Sequence, residues 1–207
     1  EPVAAAIGAD LPIEEAFGNM VMDIGGGTSE IAVISLSHIV VHNSIRVGGD
    51  KMDNDIISYL RKKNNLHVGL QTAEKIKMTI GSAYPLKEEL TMDVRGRDIV
   101  SGFPVTIKIS SEEVREALSE TIATMVDAIK RLFERTAPEL SADIAERGIF
   151  LTGGGAMLKG LDEKISKTVD LPVYVVPDAL ECVVKGAGKV LDELDRYRDV
   201  LIKRIED

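Results

Sequence analysis

The sequence predicts an α/β fold in which three successive strands precede helices and strands in alternation, with a small α+β subdomain inserted between the two parts. Three observations carry this expectation. Ile- and Val-rich runs over Asn19–Asp23, Ser29–Leu36 and Ile39–Ile45 read as three antiparallel strands. Val114, Leu118, Ile122, Met125, Ile129 and Leu132 recur at helical spacing as one apolar stripe. Beyond that stripe, apolar strand segments at Gly148–Thr152 and Val173–Val176 alternate with helical stretches.

Between the two parts, Gly48-Gly49-Asp50 breaks the strand pattern, and Ile56, Ile57 and Leu60 among charges indicate a helix to about Asn64. A second helix is expected over Thr72–Ser82, with Ile76 and Ile80 one turn apart. Alternation in Leu90, Met92 and Val94, and again in Val105, Ile107 and Ile109, predicts a small sheet with a turn near Gly96 or Gly102. Ser110 with Glu113 three residues on is a capping-box signature for the long helix. A helix over 156–168 and a charged helix from the last strand to the C-terminus complete the series. Three antiparallel strands followed by alternating helices and strands is the topology of a ribonuclease-H-like unit, βββαβαβα.

With 34 acidic against 25 basic residues among 207, the chain carries a net charge of -9, which disfavours binding to nucleic acid or to an anionic membrane surface. An apolar fraction of 44% suffices for a real core. Cys182 is the only cysteine, so no internal disulfide forms, and the cytoplasm is the expected compartment. No apolar run approaches the roughly 20 residues that span a bilayer, and Glu1–Ala6 lacks the basic start of a signal peptide. The first residue is not Met, so a piece of a longer chain is expected.

The chemistry concentrates at glycines. Asp23-Ile24-Gly25-Gly26-Gly27-Thr28 ends a strand with an acid and follows it with a turn whose backbone N–H groups can approach phosphate oxygens closely. Thr28 adds a hydroxyl, and Asp23 is suited to a water-bound Mg²⁺, a cation that prefers hard oxygen ligands. A plain glycine-rich hairpin is the alternative for Gly25, Gly26 and Gly27. Thr152-Gly153-Gly154-Gly155 also follows a buried strand and opens a helix, a place that favours anions and admits a flat nucleoside. Glu74 and Lys77 share a helix face, where a carboxylate can accept ribose hydroxyls and an ammonium can reach sugar or phosphate; taken alone they are an exposed ion pair. His38 and His42 lack a third ligand for zinc, and Cys182 lacks a base, so a small buried role is expected for it. Asp192–Asp207 reads as a solvated helix face.

Together these motifs resemble the actin, DnaK-type chaperone and sugar kinase superfamily, and more narrowly the bacterial actin homologue MreB and its paralogues. The narrow resemblance is carried end to end by Glu1–Gly8 (Glu-Pro-Val-Ala-Ala-Ala-Ile-Gly), Val21–Thr28, Ile45–Asp50 and Glu146–Gly155. It implies ATP and Mg as cofactors. Asp23 then positions the metal and attacking water, and Glu1 orients that water, positioning being most of what phosphoryl transfer requires. Glu74 and Lys77 match the ribose and adenine contacts; Gly153, Gly154, Gly155 and Ala156 match the adenosine turn.

The resemblance further implies filaments that maintain rod shape, with membrane-associated cell-wall synthesis proteins as partners and the parent protein at the inner face of the membrane. This portion is not expected to touch the membrane directly. A second glycine turn of the Asp-x-Gly-Thr type, which the family uses to grip the phosphates from the opposite side, does not occur in these residues. The expected organisation is therefore a remnant of a first domain at 1–18, a second domain over 19–48 and 110–180, an inserted subdomain at 49–109, and a helix at 181–207 returning toward the first domain. ATP hydrolysis by this chain alone stays open. The other readings are a monomeric chaperone-like or kinase-type ATPase module and a non-catalytic interaction fragment.

Overall fold

In the computed structural model, which describes residues 1–200, β1 (Asn19–Ile24) is buried along its whole length because it lies mid-sheet with helices on both faces. It pairs antiparallel with β2 (Ser29–Ser35), which pairs antiparallel with β3 (His38–Ile45). The half-exposed β3 is the sheet edge. On its other side β1 runs parallel to β7 (Ile149–Thr152), and β7 parallel to β8 (Val173–Val175), so the order is β3-β2-β1-β7-β8. The ribonuclease-H-like arrangement expected from the sequence is the one observed.

Met20, Met22, Ile24, Ile31 and Val33 share a core with the stripe of α4 (Ser111–Phe133), Ile144 of α5 (Pro138–Arg147), and Leu161 and Ile165 of α6 (Leu161–Val169). The capping box starts α4 as predicted: Glu113 N–H donates to Ser110 Oγ at 3.3 Å and Ser110 N–H to the Glu113 carboxylate at 2.9 Å. Val21, Ala32 and Ile34 point the other way, onto Ala5, Ala6 and Ile7 of α1 (Pro2–Gly8). Pro2 at the first helical position loses no needed N–H. Residues 2–8 are therefore a structural helix backing this sheet, crossing α7 (Cys182–Asp192) at very short range. A Cβ on Gly8 would collide with the Cys182 carbonyl, and one on Gly186 with the Ala4 carbonyl. Cys182 is buried at this crossing, and burial pushes its thiol up.

The insertion comprises α2 (Gly49–Lys63), β4 (Leu66–His67), α3 (Leu70–Ile80), β5 (Thr91–Asp98) and β6 (Pro104–Ser110), with a sheet in the order β4-β5-β6. Of the two glycines proposed for the turn, Gly102 makes it, at φ +78°; Gly96 sits within β5, where a Cβ would lie 2.7 Å from the His67 carbonyl. Arg115 ties the insertion to α4, donating to Ser82 Oγ at 2.8 Å, to the Tyr84 carbonyl at 3.0 Å and to Glu89 at 2.7 Å.

Two expectations need correction, and one element is new. No continuous helix covers 156–168: Gly154–Met157 is a 3-10 turn, and α6 starts only after Gly160, whose φ of +68° breaks the helix. The charged C-terminal helix stops at Asp192, followed by turns and a 3-10 segment at Arg198–Val200; its remaining stretch, 201–207, lies outside the described residues. α5 has no counterpart in the sequence reading: Ile144 is its only buried residue, so one apolar position marks its inner face.

Candidate functional site

Parallel pairing of β1 with β7 sets Asp23 opposite Thr152, so both glycine turns leave the sheet at the same, C-terminal, end of these strands. In open α/β sheets that end is where ligands bind. Thr152 Oγ1 donates to Asp23 Oδ1 at 2.9 Å. Asp23 is only 9% exposed, and burial holds its carboxyl above the usual range against the relief from Thr152; the Glu1 carboxylate raises it further. Glu1, just ahead of α1, is thereby placed within electrostatic reach of Asp23.

The first turn closes with Gly25 N–H donating to the Thr28 carbonyl at 2.9 Å. Its outer carbonyls face down: Gly49 N–H donates to Gly25 O at 3.0 Å and Asp50 N–H to Gly26 O at 2.9 Å. The start of α2 is thus occupied with holding the loop. Among the described residues no protein acceptor takes the N–H of Gly26, Gly27 or Thr28. Gly27 has no atom within 4 Å of where a Cβ would be, and neither Gly26 nor Gly27 has a positive φ. Nothing in the fold demands glycine there, so the open space is left for something approaching the backbone.

The second turn differs. Gly153, at φ +81°, would place a Cβ 2.7 Å from Asp23 Oδ1, and a Cβ on Gly155 would strike the Ile24 side chain. These two glycines are required by packing on the end of β1. Gly154 is looser, with Leu180 Cδ1 at 3.2 Å from its Cβ position, and Ala156 is buried beneath the turn. The segment beyond the turn is tied to α3: Lys159 Nζ donates to the Met78 and Thr79 carbonyls at 3.0 and 2.9 Å, and Ala83 N–H to Lys159 O at 2.8 Å.

Lys77 is not paired with Glu74. Its ammonium meets Asp53 at 2.9 Å and donates to the Gly49 carbonyl at 3.1 Å, while Glu74 stays exposed one turn earlier. Burial raises the Asp53 carboxyl despite Lys77, and Glu74 lies near enough to add to that rise. The site residues named from the sequence therefore gather on one rim: Asp23 and the loop at the sheet end, the second turn above them, and Glu74 and Lys77 on the flanking helix. Sequence reasoning missed Thr152 as the partner of Asp23, Asp53 as the partner of Lys77, and Gly48, where a Cβ would lie 2.5 Å from both Gly25 O and Gly26 O. The Gly48-Gly49-Asp50 run was the available signal for the last of these.

Among the described residues no group of three or more His, Cys, Asp or Glu side chains could hold a metal ion, and no helix is long and apolar enough to cross a membrane. The model of the MreB/Mbl protein family matches residues 1–199. The cell shape-determining protein Mbl of Bacillus subtilis is 47% identical over 196 residues, 95% of this chain and 59% of that protein. The cell shape-determining protein MreB of Escherichia coli K12 is 48% identical over 197 residues, 95% of this chain and 57% of that protein. The chain thus spans somewhat under three-fifths of the length of these relatives. Among solved structures, MreB5 of Spiroplasma citri bound to ADP superposes with a TM-score of 0.92 at 39% identity, covering 96% of this chain and 60% of that one. The MamK double helical filament, at 20% identity and a TM-score of 0.76 over 93% of this chain and 58% of that one, shares the fold. Sheet order, paired glycine turns and the family match agree, and the chain belongs to the MreB/Mbl family.

Proposed function

We propose that this chain is the second-domain side of the nucleotide cleft of an actin-like cytoskeletal ATPase whose parent protein forms filaments that maintain rod shape by organising cell-wall synthesis. The observation that carries the reading is the Gly25–Thr28 loop: three successive free N–H groups beside space that no fold constraint requires to be empty. Such a loop accepts phosphate oxygens. MreB5 of Spiroplasma citri has been solved with ADP and with AMPPNP, which supports an adenine nucleotide as the ligand.

The residues fit Mg-ATP. Asp23 is a buried carboxylate with one side-chain donor and no salt bridge to a basic side chain among the described residues, a charge that a nearby cation would offset. Mg²⁺ would be held by Asp23 through water, and when bound it supplies charge neutralisation at the phosphates. Asp23 and Glu1 accept hydrogen bonds from the attacking water and orient it. Gly25, Gly26, Gly27 and Thr28 bind the phosphates, Glu74 and Lys77 the ribose side, and Gly153, Gly154, Gly155 and Ala156 the adenosine. Phosphoryl transfer needs mainly such positioning.

The division into 1–18, 19–48 with 110–180, 49–109 and 181–207 belongs to this proposal. So do head-to-tail self-association, membrane-associated cell-wall synthesis proteins as partners, and a cytoplasmic place at the inner membrane face. The MamK relative is itself a double helical filament. Isothermal titration of the chain with ATP and Mg²⁺ tests the site: saturable heat is expected, and none at millimolar nucleotide would overturn it. Sedimentation of the longer parent protein with Mg-ATP tests assembly, and a monomer at all concentrations would remove the filament reading.

A further inference from the structure

Asp53 lies on α2, does not border the glycine loop, and is only 6% exposed. Its carboxylate meets the Lys77 ammonium, whose side chain is 15% exposed, at 2.9 Å. The same ammonium donates to Gly49 O at 3.1 Å, and the N–H groups of Gly49 and Asp50 hold Gly25 O and Gly26 O at 3.0 and 2.9 Å. A single relay therefore runs from Asp53 through Lys77 and the first turn of α2 to the loop. The Lys77 ammonium thus carries one hydrogen bond, to Gly49 O, beside its ion pair with Asp53.

A buried ion pair is a poor means of holding two helices together. Desolvation offsets most of its attraction, and apolar side chains of similar volume commonly pack as stably or better. Met52, Ile56, Ala73 and Ile76 already bury the faces of α2 and α3. A lysine has a long, flexible stem that an unpaired ammonium would carry into solvent. Pairing with Asp53 removes that freedom and holds the ammonium against Gly49 O.

We propose that Asp53 is a positioning residue of the nucleotide site. It fixes Lys77, and through Lys77 and Gly49 it fixes the loop that binds phosphate, without touching the ligand. The proposal rests on the reading of the Gly25–Thr28 loop given above.

The test measures ATP affinity by titration and thermal midpoint for the wild-type chain, D53N, K77M, D53N/K77M and D53L/K77M. D53N, which retains Lys77, is expected to weaken ATP about tenfold, and D53N/K77M to be no worse than K77M, the coupling of two groups that act as one. D53L/K77M is expected to keep or raise the thermal midpoint and to bind ATP no more weakly than K77M. Hydrogen exchange at Gly49 and Asp50 should be faster in D53N. Wild-type affinity in D53N, or additive losses in D53N/K77M or D53L/K77M, would overturn the proposal. If D53N does not fold, D53S, smaller and equally uncharged, takes its place in the same comparison. A wild-type chain that binds no ATP would instead sink the reading of the loop.

Discussion

Thr152 Oγ1 donates a hydrogen bond to Asp23 Oδ1 across 2.9 Å, joining residues 129 positions apart at the one point where both glycine turns leave the sheet. The bond opposes the rise that burial imposes on the Asp23 carboxyl. Thr152→Val keeps the volume and removes the donor. It should cost about 1–3 kcal/mol, as expected when a buried acceptor loses its partner, and raise the Asp23 carboxyl further. Urea denaturation, with carbonyl infrared of the carboxyl as a second readout, checks both.

Asp23 itself should be a stability cost without ligand. Its folded carboxyl titrates above the unfolded one, so the folded state holds more protons between the two values. Its penalty therefore grows as pH rises through the usual carboxylate range up to the folded value, and is complete above it. Asp23→Asn should raise the thermal midpoint at pH 7, with the gain vanishing at a pH below the usual carboxylate range. A gain of equal size at both pH values would contradict the assignment.

The glycines in and beside the loop divide into those the fold requires and those it leaves open. Gly27→Ala should leave stability within about 0.5 kcal/mol, as at other open surface positions, yet weaken ATP by about tenfold if each lost phosphate contact is worth near 1.4 kcal/mol. Gly48→Ala meets two carbonyl oxygens and should cost about 1–3 kcal/mol by overpacking. Paired thermal melts and titrations separate the two; equal destabilisation would refute the division.

Glu89 receives Arg115 and Ser111, and the Arg115 guanidinium holds its carboxyl below the usual range, with Ser111 adding to it. A lowered folded value contributes stability that is present above the unfolded value and lost as pH falls through the folded one. Glu89→Gln should lower the thermal midpoint at neutral pH and flatten its decline in acid. A melt series from pH 7 down to pH 3 reads this directly.

Local chemistry was legible and long-range pairing was not. The capping box of Ser110 and Glu113, the stripe from Val114 to Leu132 and the three strands each lie in one short window, where period and cap residues carry the signal. α1 hid because seven residues, five of them Pro, Ala or Gly, present no wide apolar stripe; its close approach to α7 shows only once Gly8 and Gly186 are in place. The glycine turns were found, but not that Gly153 and Gly155 serve packing against Ile24 while Gly27 does not. Asp53 with Lys77 and Asp23 with Thr152 escaped for one reason: no spacing rule links residues that meet only through the fold. Lys77 was instead set beside Glu74, its neighbour on the helix.

The two hydrogen bonds from Gly49 and Asp50 to the carbonyls of Gly25 and Gly26 also make a mechanical linkage. α2 is at once the grip on the loop and the first beam of the insertion. A tilt of the insertion therefore pulls on two peptide units whose N–H groups, on the opposite face, have no acceptor among the described residues. A few tenths of an ångström there suffice to lengthen a hydrogen bond, so the loop works as a strain gauge for the subdomain above it.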